Sequence, residues 1–118
     1  MTLKDRIHFL TTPEQVDAFL KDNAVAAVFK AGVCHKTNEM FQNVQSQLEP
    51  REDVPLGVIR VVESRKASNH VQEITGIQHE SPQLLLFKDG KAVYDRDNWD
   101  ITAESISEAL ESHFHPVA

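Results

Sequence analysis

The stretch from Ala24 to Lys30 restricts this chain more than any other. It is nearly continuous in apolar residues, the pattern of a central parallel strand covered on both faces. A strand of that kind needs helices above and below it, so the chain has to fold as a layered α/β structure. Directly after it come Ala31-Gly32-Val33, then Cys34, then His35-Lys36-Thr37, where a helical pattern begins. The strand therefore delivers a short glycine-containing loop and the only cysteine of the chain to the start of a helix.

The flanking segments alternate in the same way. Ile7 to Leu10 reads as a short edge strand. Thr12 suits an N-cap, Pro13 the first helical position and Gln15 a capping box, with Val16, Phe19 and Leu20 as the apolar stripe of a first helix to about Asp22. Met40, Phe41, Val44 and Leu48 recur at helical spacing from His35 to about Leu48, before Pro50. Leu56 to Val62 reads as a further buried strand. Ser64 to Thr75 reads as a helix with Val71 and Ile74 inward and Gly76 as its C-cap. Gln83 to Lys88 and Lys91 to Tyr94 flank Asp89-Gly90, a dipeptide suited to a type I′ hairpin turn. Ile101 faces Ile106 across a Thr102 N-cap, and Ile106, Ala109, Leu110 and Phe114 complete a last helix before Pro116. Trp99 reads as core or hairpin packing.

The predicted order is βαβαβαββα. Right-handed crossovers place the parallel strands between two layers of helices, with the hairpin at one edge. This succession, with Cys34 after the second strand and Pro82 just before the hairpin, resembles the thioredoxin fold, a central mixed sheet flanked by helices on both faces. With 118 residues, 41% hydrophobic and 25% charged, the expectation is a single domain over 1–118. Net charge is −6 and no Lys/Arg block occurs, which argues against a nucleic-acid partner. Neither a signal-like start nor a membrane-length apolar run is present in the sequence, so the expected location is cytoplasmic.

Cys34 is the candidate catalytic residue. A free thiol with pKa ~8.5 is largely protonated at neutral pH, and a helix N-terminus favours the reactive thiolate. A single cysteine cannot close an internal disulfide, so redox chemistry has to pass through a mixed disulfide with another molecule. Thr37 stands where the resolving cysteine of a C-x-x-C motif stands, and its hydroxyl can hydrogen-bond a thiolate but cannot displace a bound thiol. His35 and Lys36 can add positive charge beside the thiolate, or form a solvated helix start. Cys34, His35 and His79 match no zinc spacing, and no metal is expected.

Val62-Glu63-Ser64-Arg65, Ser68-Asn69, Gly76-Ile77, His79-Glu80-Ser81-Pro82-Gln83, Gly90-Lys91 and Trp99 with Ile101-Thr102 together resemble the monothiol bacilliredoxins, a thioredoxin-like family of bacillithiol-using bacteria. The resemblance spans nearly the whole chain. It departs at the segment after the cysteine, where His35 and Thr37 replace the family's Pro and Ser. It implies a thiol–disulfide oxidoreductase of redox homeostasis that removes bacillithiol from protein mixed disulfides. Cys34 would attack, become bacillithiolated and be regenerated by free bacillithiol or another redoxin. Bacillithiol is then a co-substrate, and no tightly bound cofactor is implied. The resemblance also implies a cis Ser81-Pro82 bond, with Ser81 offering backbone groups to a docked disulfide. His79 is a candidate proton shuttle. Ser64, Arg65, Ser68 and Asn69, at the opening of the third helix, are candidates to receive the anionic end of the small thiol. The alternative reading is a non-enzymatic thioredoxin-like module that binds a peptide or senses redox state.

Overall fold

The structure is a computed structural model that describes residues 3–33 and 35–114. A 3₁₀ turn over Leu3–Arg6 leads into β1 (Ile7–Phe9), followed by α1 (Pro13–Asp22), β2 (Val25–Ala31), α2 (His35–Leu48), β3 (Leu56–Arg60), α3 (Arg65–Thr75), the hairpin β4 (Gln83–Lys88) and β5 (Lys91–Asp97), and α4 (Ala103–His113). The order βαβαβαββα is as expected from the sequence.

The five strands lie in the order β1-β3-β2-β4-β5. β1 and β2 run parallel to β3, whereas β4 is antiparallel to both β2 and β5. The strand expected to be central is central, parallel on one side and antiparallel on the other. Alternation along β2 feeds two cores. Ala27 and Phe29 pack with Met40, Val44 and Leu48 of α2 and with Ile106, Ala109 and Leu110 of α4. Ala26 and Val28 pack with Val16, Phe19 and Leu20 of α1 and with Ala67 and Val71 of α3. This is the thioredoxin-fold arrangement, a mixed sheet with helices on both faces.

Local signals set the element ends. Thr12 accepts from the Gln15 backbone N–H at 3.1 Å, while the Gln15 side chain reaches Thr11 rather than Thr12, one residue further back than a capping box requires. Asp89 (φ 52) and Gly90 (φ 80) both take positive φ, as a type I′ turn demands. Gly76 closes α3 in the left-handed region at φ 72. Besides the Gln15 box, three expectations are corrected. β3 stops at Arg60 and leaves Val62 exposed, because the chain turns there and the Ser64 N–H bonds the Arg60 carbonyl at 2.8 Å. Ile74 is exposed, because α3 turns Ala67, Ser68 and Val71 inward instead. Trp99 is exposed in a 3₁₀ turn over Asn98–Asp100 rather than packed. Pro116 lies outside the described residues.

Candidate functional site

Two chain segments far apart in sequence meet at one end of the central ladder. Lys30, next to last in β2, pairs in register with Gln83, the first residue of β4. Beyond the ladder, Ser81-Pro82 on one side faces Gly32 on the other, and the Ser81-Pro82 peptide bond is cis. A Cβ on Gly32 would collide with Ser81 Oγ and lie 3.5 Å from Thr37 Oγ1. A side chain here would force the Ser81 hydroxyl to rotate away, while Ser81 Cβ at 3.5 Å would remain in ordinary contact, so glycine lets the two segments approach closely. Gly32, Ser81 and the buried Thr37 thus bracket the loop that carries the cysteine. Cys34 itself lies outside the described residues; its sequence neighbours Val33 and His35 are exposed and Lys36 is half-buried.

Behind this loop is a group that sequence reading missed. Lys30 is wholly buried, and its Nζ lies 3.2 Å from His79 Nδ1. His79 Nδ1 also lies 3.3 Å from the Oγ of buried Ser68. The His79 backbone is fixed as well. Its N–H donates to Gln72 Oε1 at 2.6 Å, and the buried Gln83 side chain donates to the Gln78 carbonyl at 3.0 Å and accepts from the Glu80 N–H at 3.4 Å. Burial pushes the Lys30 ammonium down to about 8. His79 is held below its ordinary value by burial first and the Lys30 charge next; Glu80 opposes this and Arg65 adds to it. Among the described residues no carboxylate hydrogen-bonds Lys30 Nζ. The available signal was a lone cation in an otherwise apolar strand, a position where charge is rarely tolerated without a purpose.

The four candidates at α3 do not form one pocket. Ser68 is turned inward onto His79, whereas Arg65 and Asn69 are exposed. Ser64 is buried beside a small crevice that Phe9 and Arg60 also line. The structure offers instead a cavity of about 340 Å³ between Gly32-Val33, Thr37-Asn38, Phe41 and the end of β3. Its cation is Arg60, whose guanidinium stacks 4.5 Å above the Phe9 ring and comes within 3.9 Å of Glu63. A larger open depression, about 750 Å³, lies at the opposite end of the sheet near Asp89-Gly90, away from the cysteine loop.

The profile of monothiol bacilliredoxin BrxC matches residues 8–106. The chain belongs to the monothiol bacilliredoxin family. Among solved structures, a thioredoxin-fold protein provisionally assigned as an oxidoreductase superposes with a TM-score of 0.84 at 25% identity, covering 91% of this chain and 96% of that one. A point mutant of thioredoxin from Halobacterium salinarum gives 0.76 at 20% identity over 97% of this chain and 96% of that one. Mitochondrial thioredoxin 3 from Saccharomyces cerevisiae gives 0.75 at 15% identity over 94% and 99%. Bacilliredoxin membership and the thioredoxin fold together assign a thiol redox function of the oxidoreductase type. No helix of the described residues is long and apolar enough to cross a membrane.

Proposed function

We propose that this bacilliredoxin removes bacillithiol from protein mixed disulfides in the cytoplasm. The Cys34 thiolate attacks the bacillithiol sulfur, a new Cys34–bacillithiol disulfide forms, and the protein sulfur leaves as a thiolate that takes up a proton. Free bacillithiol or another redoxin then attacks the Cys34 adduct and returns the thiolate. Electrons balance within each exchange, because one disulfide replaces another. The reading is carried by the close approach of Gly32 to Ser81, which sets a backbone edge at Ser81, just ahead of β4, against the loop of the single cysteine. An extended substrate segment can pair with such an edge while its disulfide lies over that loop. Thr37 offers a hydroxyl in the first turn of α2, with Lys36 and His35 beside it. Bacillithiol carries a malate, and the cavity beside the cysteine loop offers it the Arg60 guanidinium, whose charge Glu63 in the same lining partly offsets.

The test is mass spectrometry after mixing the chain with a bacillithiolated protein. The expected result is loss of the adduct from the substrate and its appearance on Cys34, with no transfer to a Cys34→Ala variant. Absence of any Cys34 adduct under these conditions overturns the reading. Parallel mixtures with proteins carrying other small thiols read out selectivity.

A further inference from the structure

Resting on that exchange chemistry, we propose that Lys30 and Ser68 hold His79 as the Nε2–H tautomer, so that His79 protonates the departing thiolate and Lys30 resupplies its proton. Lys30 fixes the direction at this nitrogen, and the Ser68 hydroxyl, which can donate or accept, is free to follow it. An ammonium has only protons to offer, and it lies 3.2 Å from Nδ1; the Ser68 hydroxyl lies 3.3 Å from the same atom. A neutral imidazole that accepts at Nδ1 carries its proton on Nε2. Among the described residues Nε2 makes no hydrogen bond. The groups facing the ring bear on its charge as well. Lys30 and Arg65 disfavour the imidazolium and Glu80 only partly offsets them, so the ring works as a neutral donor.

Position ties the ring to the reaction. His79 precedes Ser81 by two residues, a span of at most about 7 Å, and Ser81 is the residue that abuts the cysteine loop. Gln72 and Gln83 pin the backbone on either side, so the imidazole is held beside the edge where the disulfide docks. The step is balanced. As the sulfur–sulfur bond of the substrate breaks, the leaving thiolate takes the Nε2 proton, Nδ1 takes a proton from Lys30 Nζ, and the Lys30 amine regains one from water through His79 after the product departs. Lys30 touches no substrate; it is a positioning residue and proton reserve acting through His79. A general acid of this kind matters when the leaving thiol is weakly acidic and contributes little when it is strongly acidic.

Leaving-group dependence therefore separates this role from a structural one. Second-order rates of Cys34 exchange are measured with two symmetrical disulfides, bis(2-hydroxyethyl) disulfide and a dinitroaryl disulfide, for the wild-type chain, Lys30→Met, His79→Gln and the double variant. Lys30→Met is expected to lose at least about tenfold on the dialkyl disulfide relative to the diaryl one. His79→Gln should show the same selective loss, with no further loss in the double variant. Ring nitrogen NMR should show His79 as the Nε2–H tautomer in the wild type and a tautomer mixture in Lys30→Met. Equal losses on both disulfides, unchanged rates, or a wild-type Nδ1–H tautomer overturn the relay while leaving the exchange reading intact. No reaction of the wild-type chain with either disulfide removes both.

Discussion

Lys30 occupies the least hospitable position in the protein for a charge. Its titration falls from 10.5 to about 8, which corresponds to roughly 3 kcal/mol against the protonated form in the fold. The unfolded chain binds the Lys30 proton more tightly, so between about pH 8 and 10.5 it holds more protons than the native state. Stability consequently rises with pH through that window, and the full penalty is present below it. Lys30→Met, of similar length and uncharged, removes that penalty but also a hydrogen bond to His79 worth about 1 kcal/mol. The expected outcome at pH 7 is a gain of about 2 kcal/mol in urea denaturation, together with loss of the rise in stability between about pH 8 and 10.5. Unchanged or lower stability of the variant at pH 7 would show that the burial penalty is offset elsewhere. The His79 shift has the same sign, and its effect falls at lower pH: stability is lost as pH drops below the unfolded histidine value near 6.5.

At the scale of elements, caps and turns were the most legible parts of the sequence. Thr102 accepts from the Ser105 N–H at 3.0 Å, and the Ser105 hydroxyl accepts from the Thr102 N–H at 3.1 Å, a reciprocal box that starts α4. Thr102→Ala is expected to lower global stability by about 1 kcal/mol, read as a shift in denaturation midpoint with unchanged slope. A change below about 0.3 kcal/mol would mean that water replaces the cap without loss. The Thr102 cap could be read in advance because a cap is a local bond between residues three apart; the return bond of Ser105 was not read, and the box expected from Gln15 closes on Thr11 instead. Val62 and Ile74 were misread for the opposite reason. Whether an apolar residue at an element's end is covered depends on where the neighbouring layer stops, and neither period nor propensity carries that information. β5 likewise runs on to Asp97, beyond the apolar stretch, because Gln83 and Asp97 pair across the hairpin.

For the whole molecule, the layer plan followed from one buried strand, and the site did not. Cys34, Thr37 and Pro82 are candidates that type and position alone single out. The Lys30–His79 contact joins residues 49 apart, and only the strand register brings them together. The same register predicts a gradient of order. β2, β3 and β4 form the interior of the sheet, whereas β1 is three residues long and β5 is a half-exposed edge. Native-state hydrogen exchange should place the slowest amides in β2 and β4, opening only with global unfolding, and markedly faster ones in β1 and β5. Equal protection across all five strands would contradict this.

The Lys30–Gln83 pairing also bears on selectivity. The cysteine loop leaves one of these strands and the Ser81-Pro82 segment enters the other, so the two walls of the proposed docking groove cannot part without unzipping the middle of the sheet. Gln83 fastens the 78–80 loop with both ends of its amide, which removes slack from the remaining wall. A groove built this way forfeits little conformational entropy when it is filled, and it has little capacity to remould itself. The burden of adaptation passes to the partner: targets should be those whose mixed disulfide lies on a segment loose enough to extend along a fixed edge.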